Sequence, residues 1–343
     1  MLSRSPAVVS GGGCDAVAAC IALLAVLLPS TAPDEVSEVR IARQYGLPYL
    51  QLMIMEHDRL IEKHARAAGL GDVKTTWSAF ATSAIINDAM FSERLEFAVT
   101  GVPAVITLWA RTRGTPQEVR GVLAGGAHPM TLVTRNPNVK SMRDFTDRDR
   151  IAVPTVKISN AAIAIQMEAE RLFGEGQWAK LDPLTIGRGH PDAMTSMVSG
   201  QGELTAHFAV QPFLAQELAT PGLRPINTLY NILGGPASLV AAYTTAKFHD
   251  ANPKMYAAFV AAFEEATARI NKDRRGAAEI YLKLVNDRKS TVDDIVKQIA
   301  DPDTIFTTTP QNTMVYASFM HRIGLIKVKP ASWKDMFFRS EEH

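Results

Sequence analysis

The stretches LEFAVTGVP at residues 95–103 and LTAHFAVQP at residues 204–212 repeat one pattern in two parts of the chain. In each, a short helical segment leads into a strand-like run, and a proline stands eight residues after the first leucine. Another helical segment follows each proline. The sequence therefore predicts two similar halves, each built from a helix, a strand, a loop and a second helix. The alternative is that any two βα units share this outline.

Strands alternate with helices along the rest of the chain. Residues 36–42 alternate apolar and polar side chains, as a half-buried strand does. A single helix is predicted to open at Pro48, to keep its apolar spacing to Ala68 and to end at Gly69 and Gly71. Further strands are predicted at 73–80, 95–100, 130–134, 151–154, 184–186 and 204–210, and one more ends near residue 124. Further helices are predicted at 83–91 and 190–198, another begins at 159, and the chain after 253 is mainly helical. This alternation favours an α/β fold with parallel sheets, in which ligands bind beyond the carboxyl ends of the strands, near helix N-termini.

The N-terminal residues have the pattern of an export signal. Arg4 precedes the apolar run at 16–28, which is shorter than the about 20 residues that a bilayer span needs. Ser30-Thr31-Ala32 offers a small-x-small cleavage pattern. We therefore expect residues 1–32 to be a cleaved signal peptide and the mature protein to be periplasmic. A lipoprotein signal ending at Cys20 and a wrongly assigned start codon stay open as alternatives.

Composition excludes several classes of protein. Cys14 and Cys20 are the only cysteines, and both lie in the expected leader, so the mature chain is expected to have no disulfide, thiolate nucleophile or cysteine-based metal site. The formal net charge of +1 offers no basic excess for nucleic acid. No later apolar run is long and uncharged enough to predict a membrane span.

A series of segments carries a resemblance to a known family. In chain order they are Val39-Arg40-Ile41-Ala42, the loop 43–50, residues 77–83, Thr100-Gly101-Val102-Pro103, residues 151–160, His190-Pro191-Asp192-Ala193-Met194, Ser199-Gly200-Gln201 and Gln211-Pro212. Together they resemble the solute-binding proteins of the nitrate, sulfonate, taurine and thiamine-pyrimidine-precursor type, which serve ABC importers. The resemblance covers residues 36–330. Ser92-Glu93-Arg94 departs from the family's usual Ser-Gly-Asp, and the motifs identify the superfamily better than the ligand.

The resemblance implies a periplasmic-binding-protein type II fold: two mainly parallel α/β lobes with a ligand cleft between them. Lobe 1 would comprise residues 33–132 plus 236–343, and lobe 2 residues 133–235. Leu233-Gly234-Gly235-Pro236 is expected to act as a hinge return, with a plain loop as the alternative. The implied partners are a small-molecule ligand and an ABC permease with its ATPase in the inner membrane. The chain is expected to be a monomer without a cofactor or nucleic-acid partner.

Candidate ligand contacts lie at strand ends and helix starts. In lobe 1 they are Gln44, Tyr45, Thr82, Ser83, Thr100, Gly101 and Val102, and in lobe 2 they are Lys157, Ser159, Asn160, His190, His207 and Gln211. Tyr45 is expected to stack on the solute, the helix-start residues to receive an anion, and Lys157 to neutralise its charge. Each has a structural alternative: helix capping, a solvated lysine, or a histidine that only supports the fold.

Enzyme motifs are missing from the sequence. It has no Gly-x-Ser-x-Gly elbow, no His-Glu-x-x-His zinc helix and no carboxylate pair spaced for acid–base work. No catalytic residue or metal ligand is therefore assigned. An enzyme of thiamine-pyrimidine-precursor synthesis on the same fold is the alternative, and the cysteine-rich metal motif that the resemblance attaches to it is absent. The sequence favours a binding component that captures a small organic anion, such as a sulfonate or carboxylate, by lobe closure.

Overall fold

Two five-stranded sheets form the framework of the computed structural model, which describes residues 35–287 and 289–338. The predicted signal peptide at residues 1–32 lies outside the described residues, and so do both cysteines. Among the described residues, no helix is both long and apolar enough to cross a membrane.

The strands and helices alternate as the sequence predicts up to residue 218, whereas no strand was predicted at Arg224–Thr228 or Val240–Thr245, where the structure has two. The strands are β1 (Glu38–Arg43), β2 (Lys74–Ala79), β3 (Phe97–Gly101), β4 (Val119–Ala124), β5 (Thr131–Thr134), β6 (Ile151–Val153), β7 (Thr185–Gly187), β8 (Ala206–Ala209), β9 (Arg224–Thr228) and β10 (Val240–Thr245). The helices are α1 (Leu50–Asp58), α2 (Leu60–Ala67), α3 (Ser83–Phe91), α4 (Val102–Thr112), α5 (Asn160–Phe173), α6 (His190–Ser199), α7 (Phe213–Leu218), α8 (Leu229–Leu233), α9 (Ala246–Ala251), α10 (Pro253–Lys272), α11 (Arg274–Val285), α12 (Val292–Ile299) and α13 (Met314–Arg322).

The two sheets share one topology. The first has the order β2-β1-β3-β10-β4 and the second the order β7-β6-β8-β5-β9. In each, the first three strands are parallel, and the fourth strand is antiparallel to both of its neighbours. The expectation of parallel strands thus holds for β1–β3 and β6–β8, whereas the crossing strands β10 and β5 make both sheets mixed. The predicted internal repeat is confirmed, since β3 and β8 occupy the same place in their sheets.

The chain passes between the sheets twice, after Ala124 and before Val240. The two connections lie side by side: the Leu239 N–H donates to the Gly126 carbonyl, and the Gly125 N–H donates to the Val240 carbonyl, both at 2.9 Å. Because β5 already belongs to the second sheet, we propose lobe boundaries within residues 125–130 and 229–239, a few residues before the expected 132/133 division.

Local signals explain where helices begin and end. Thr82 caps α3, which has the predicted bounds 83–91. The single helix predicted after Pro48 is wrong, because Arg59 adopts left-handed backbone (φ 56°) and separates α1 from α2. Gly234 and Gly235 follow α8 with φ of 79° and 142°, which glycine adopts without strain. They therefore end a helix, and their hinge role stays a prediction.

Candidate ligand cleft between the lobes

A cavity of about 30 Å³, here called the inner cavity, lies where the carboxyl ends of strands from both sheets meet. Gln44 follows β1 and Gly101 ends β3, while Pro154 follows β6 and Val210 follows β8. The described lining residues are Gln44, Tyr45, Pro48, Tyr49, Ser83, Gly101, Met130, Pro154, Ser159, Asn160, Ala161, His190, Val210, Leu239 and Val240. The repeat identified in the sequence thus supplies facing edges of one cavity.

Several helices begin at the inner cavity. Ser83, Asn160 and His190 are the first residues of α3, α5 and α6 and line the cavity, and α4 begins directly after the lining residue Gly101. Helix N-termini carry partial positive charge and favour anions. None of the described lining residues is an aspartate, glutamate, lysine or arginine. The cavity therefore offers an anion polar groups and helix dipoles without a full countercharge.

Capping side chains hold two of these helix starts. The Thr82 hydroxyl accepts a hydrogen bond from the Ile85 N–H at 3.5 Å, and the Ser159 hydroxyl accepts one from the Ala162 N–H at 3.2 Å. Thr82 is half-buried and lies outside the cavity lining, whereas Ser159 is buried and lines it. Ser159 therefore has a capping role and a cavity position together.

Gln44 organises the first-lobe wall of the cavity. Its Oε1 accepts hydrogen bonds from the Tyr49 hydroxyl at 3.0 Å and the Ser83 hydroxyl at 3.3 Å. Its Nε2 donates to the Ala81 carbonyl at 3.3 Å. Because Gln44 follows β1 and Ser83 begins α3, this network fixes one strand end against one helix start.

Asn160 reaches from the second lobe to the end of β3. Its Nδ2 donates to the Leu239 carbonyl at 2.9 Å, and its buried Oδ1 has no hydrogen-bond partner among the described residues. A Cβ added at Gly101 would lie 2.6 Å from Asn160 Nδ2. Gly101 therefore leaves the space that this side chain occupies, and Oδ1 is an unsatisfied polar atom of a cavity-lining residue.

The lobes also touch through main-chain groups near two other glycines, a set of contacts here called the latch. The Leu47 N–H donates to the Gln211 carbonyl at 3.0 Å, and a Cβ at Gly46 would lie 3.0 Å from that same oxygen. A Cβ at Gly189 would lie 3.1 Å from the Ala81 Cβ. Glycine thus lets the backbones of facing loops approach closely.

A further hydrogen bond joins the lobes at the start of α3. The Ser83 N–H donates to the Thr155 hydroxyl of the second lobe at 3.2 Å. Together with the latch, this bond describes a closed cleft. An inner cavity of about 30 Å³ has room for roughly one water-sized molecule.

A wider groove of about 540 Å³, here called the outer groove, lies next to the inner cavity and shares Tyr45 with it. Both lobes contribute apolar and aromatic side chains, among them Tyr281 from the first lobe and Met194 and Phe213 from the second. The remaining lining residues are Arg43, Gly46, Pro191, Pro212, Gln216, Val285, Asn286, Asp287 and Lys289. The cleft thus combines a small polar chamber with a larger, mostly apolar approach.

Three side chains form a buried chain behind the cavity. The His190 Nδ1 lies 2.9 Å from the His207 Nε2, and the His207 Nδ1 lies 2.5 Å from the Glu217 Oε1. His207 and Glu217 are fully buried, whereas His190 lines the cavity and stacks on Phe213. Burial lowers the pKa of His207 to about 3 and raises that of Glu217 to about 8, so both are uncharged near neutral pH.

His190 is also kept neutral by its surroundings. Burial, with a smaller contribution from the adjacent His207, holds its pKa well below the ordinary value of 6.5. A neutral imidazole donates through one nitrogen and accepts through the other. Since Nδ1 faces His207, Nε2 is the nitrogen left for a ligand.

The remaining predicted contacts lie outside the cavity lining. Thr100 is fully buried in β3, and the buried Val102 donates its N–H to the Leu239 carbonyl. The exposed Lys157 lines a separate groove beside Asp182. The side chain of Gln211 accepts a hydrogen bond from the Ala215 N–H at 3.2 Å.

Sequence reasoning missed three residues of this region. Thr155 and Leu239 accept interlobe hydrogen bonds, and Glu217 ends the histidine chain. No motif points to Thr155 or Leu239. The one available signal for Glu217 is an acidic residue in the helix that follows the β8 histidine. Among the described residues, no cluster of three or more His, Cys, Asp or Glu side chains could hold a metal ion.

Comparison with known proteins shows the fold. No family model matches the sequence, and no curated protein matches it at a significant level. Solved structures do match. The alkanesulfonate-binding protein SsuA from Xanthomonas axonopodis pv. citri, bound to MOPS, is 14% identical over 86% of this chain and 96% of its own, with a TM-score of 0.65.

Two further solved structures agree. The periplasmic aliphatic sulphonate binding protein SsuA from Escherichia coli is 15% identical over 89% of this chain and 93% of its own, with a TM-score of 0.62. The periplasmic nitrate-binding protein NrtA from Synechocystis PCC 6803 is 16% identical over 88% of this chain and 84% of its own, with a TM-score of 0.63. The chain has the two-lobed α/β fold of periplasmic binding proteins, so the resemblance predicted from the sequence is confirmed as a fold.

Proposed function

We propose that this protein is the exported, substrate-binding component of an ABC importer and captures a small organic anion between its lobes. The observation that carries the proposal is the start of α3, α4, α5 and α6 at one interlobe cavity whose described lining residues are all uncharged in type, with no Asp, Glu, Lys or Arg. Helix N-termini at such a place stabilise an oxyanion without an ion pair. The bound, closed form would then deliver the ligand to a membrane permease and its ATPase.

The two parts of the cleft match a ligand with a polar head and an apolar body. The sulfonate or carboxylate head would meet Ser83, Asn160 and His190 in the inner cavity. The body would extend into the outer groove against Tyr45 and Phe213. Because the inner cavity holds roughly one water-sized molecule in this arrangement of the lobes, they must separate for the head to enter and must settle further apart around it.

The structural relatives support an oxyanion ligand. Two are described as sulfonate-binding and one as nitrate-binding. A sulfonate with an aliphatic body would use both the inner cavity and the outer groove, whereas nitrate would leave the outer groove empty. An alkanesulfonate or an aliphatic carboxylate is therefore the ligand class that the cleft favours.

The second candidate function is an enzyme of thiamine-pyrimidine-precursor synthesis on the same fold. The observation on its side is His190, which lines the cavity and is backed by His207 and Glu217 as a general base often is. Conversion of a bound compound separates this candidate from simple capture.

Titration calorimetry of the purified protein tests the proposal. The ligands are nitrate, ethanesulfonate, a longer alkanesulfonate and the carboxylate of equal length. We expect micromolar binding of the longer alkanesulfonate, with the compound recovered unchanged. Asn160→Asp should weaken binding by about tenfold or more, because a carboxylate in the cavity repels the anion.

The matched control is Asn138→Asp, which places the same charge on the exposed surface and should bind normally. Equal affinity of Asn160→Asp and the unmodified protein would place the ligand elsewhere. Absence of binding to every anion, or chemical conversion of one, would overturn the transport proposal.

A further inference from the structure

The chain from Glu217 through His207 to His190 connects a fully buried carboxyl group with the inner cavity. We propose that Glu217, acting through His207, fixes His190 as a hydrogen-bond donor toward the ligand, and that loss of one proton converts His190 into an acceptor. The ligand half of this inference rests on the proposed function. The arrangement of protons on the three side chains does not depend on the ligand.

The donor role follows from counting protons along the chain. When Glu217 is protonated, its O–H donates to the His207 Nδ1. His207 then carries its proton on Nε2 and donates it to the His190 Nδ1. A neutral His190 must therefore carry its own proton on Nε2, the nitrogen that remains for the cavity. The same donor results if the Glu217 proton sits on His207 Nδ1, because the number of protons is unchanged.

Removing one proton reverses every bond in the chain. The proton on the His190 Nε2 leaves to solvent, the proton on the His207 Nε2 moves to the His190 Nδ1, and the Glu217 proton moves to the His207 Nδ1. The product is a Glu217 carboxylate, two neutral histidines and an unprotonated His190 Nε2. Because Glu217 and His207 are fully buried, His190 is the route by which this proton leaves.

The surroundings of Glu217 favour its protonated form. Its Oε2 is buried and has no hydrogen-bond partner among the described residues, which is costly for an ionised carboxylate. The described elements that pack around α7 and α6 bring no cation next to Glu217, because β5 has no titratable residue and β8 contributes His207 itself. Burial raises the pKa of Glu217 to about 8.

The charged groups on the neighbouring segments have other positions or partners. Asp192 on α6 is exposed. Arg188, before α6, donates to the Ser196 hydroxyl, and Arg224 on β9 donates to the Asn136 carbonyl. On the outer-groove side the charged lining residues among those described are Arg43, Asp287 and Lys289. None of these groups is a source of the Glu217 shift, which comes from burial.

The consequence is a preference for ligands with an acceptor oxygen at His190. A sulfonate, carboxylate or carbonyl oxygen accepts from the Nε2–H, whereas an ammonium group would face a donor and be rejected. After loss of the proton, the hydrogen-bonded chain from Glu217 to His190 is negatively charged, and His190 presents a lone pair to the cavity. Both changes disfavour an anion. Glu217 is thus a positioning residue that acts on the ligand through two histidines.

Nitrogen-15 NMR of the histidine side chains in the ligand-free protein tests the proton arrangement. Near neutral pH we expect His190 to carry its proton on Nε2, and above about pH 8 on Nδ1. Glu217→Gln should keep the Nε2–H form throughout, because its amide N–H replaces the carboxyl donor and does not ionise. His128, whose Nε2 faces the Gly125 carbonyl at 3.3 Å, is the internal reference and should not change.

An Nδ1–H form of His190 at neutral pH would overturn the inference, and so would a pH-dependent switch that persists in Glu217→Gln. Should that variant fail to fold, the unmodified protein measured on both sides of about pH 8 still decides the question. In the binding arm, affinity for the anion should fall about tenfold near pH 9 in the unmodified protein and stay constant in Glu217→Gln. Correct tautomers without anion binding would refute only the proposed function, whereas anion binding with the wrong tautomers would refute only this inference.

Discussion

Gly101 has backbone angles that any residue adopts, with φ of −57° and ψ of 139°. Its missing side chain therefore serves packing and not backbone conformation. The space that a Cβ would fill is taken by Asn160 from the other lobe, so the missing side chain permits this close contact between the lobes. A substitution here separates the stability of closure from the stability of the fold.

Gly101→Ala should weaken ligand affinity by about tenfold, because a Cβ 2.6 Å from Asn160 Nδ2 opposes closure by an overpacking cost of roughly 1–3 kcal/mol. The thermal unfolding midpoint should change little, since the open lobes have no such clash. Calorimetry and a melting curve measure the two effects. Gly187→Ala is the control, because the nearest atom lies 4.0 Å from its added Cβ. Normal affinity in Gly101→Ala would show that this contact does not limit closure.

Sequence alone located part of the cavity lining at this scale. Ser83 and Ser159 lie at the cavity because strand ends and helix starts follow from local patterns. Lys157 was expected beside them, yet its left-handed backbone (φ 67°) lies in an exposed turn that lines another groove. Glu217 could not be placed, since its contact with His207 depends on how α7 packs against the second sheet. Their roles toward a ligand stay predictions.

Among the helices, α5 joins local folding to the cleft most directly. It has 14 residues, a largely buried first half, and a start fixed by the Ser159 hydroxyl. The same hydroxyl group belongs to a cavity-lining residue, so the helix cap lies at the inner cavity. α9 offers a comparison, because Thr245 caps it through the Phe248 N–H at 3.1 Å and does not line the inner cavity.

Ser159→Ala and Thr245→Ala should each lower the free energy of unfolding by about 1 kcal/mol through loss of a helix cap. Only Ser159→Ala should also reduce affinity for the anion, since it removes a polar group from the cavity. Urea unfolding and calorimetry of both variants provide the comparison. A similar loss of affinity in both would attribute the effect to stability and remove Ser159 from the ligand site.

The helices and strands themselves were predictable where a cap or an alternation marks them. α3 begins after Thr82 and matches its predicted bounds, and β3 overlaps the strand predicted at 95–100 and extends one residue beyond it. The division between α1 and α2 was missed, because Arg59 carries no glycine or proline signal. The break allows Leu60 and Ile61 to be buried together, which is a demand of the tertiary core and not of the local sequence.

Across the whole molecule, buried uncharged groups make stability depend on pH in two directions. Burial lowers the pKa of His128 to about 4 and of His207 to about 3, and it also depresses that of His190. The unfolded chain takes up these protons near 6.5, so stability is lost as the pH falls below that value. Glu217 acts in the opposite sense, since the folded protein keeps its proton up to about pH 8.

Stability should therefore be greatest near pH 6.5 and decrease toward pH 8. Between the ordinary pKa of 4.5 and about 8, the folded state holds the Glu217 proton that the unfolded state has released. From pH 6.5 to about pH 8, this difference lowers the free energy of unfolding by on the order of 2 kcal/mol, and Glu217→Gln should abolish the decrease. Urea unfolding at several pH values measures the curve. A decrease of equal size in the variant would assign it to other groups.

The latch has a consequence for redesign of this protein as a biosensor. At the latch the lobes meet through the main chain of Leu47 and Gln211 and through glycines that contribute no side chain, whereas Met130 and Ala161 line the inner cavity with side chains that are not part of the latch. The latch and these two side chains thus use different atoms. On the proposed function, exchanging Met130 and Ala161 should retarget the inner cavity to a new analyte, while the same closing movement would still report that it is occupied.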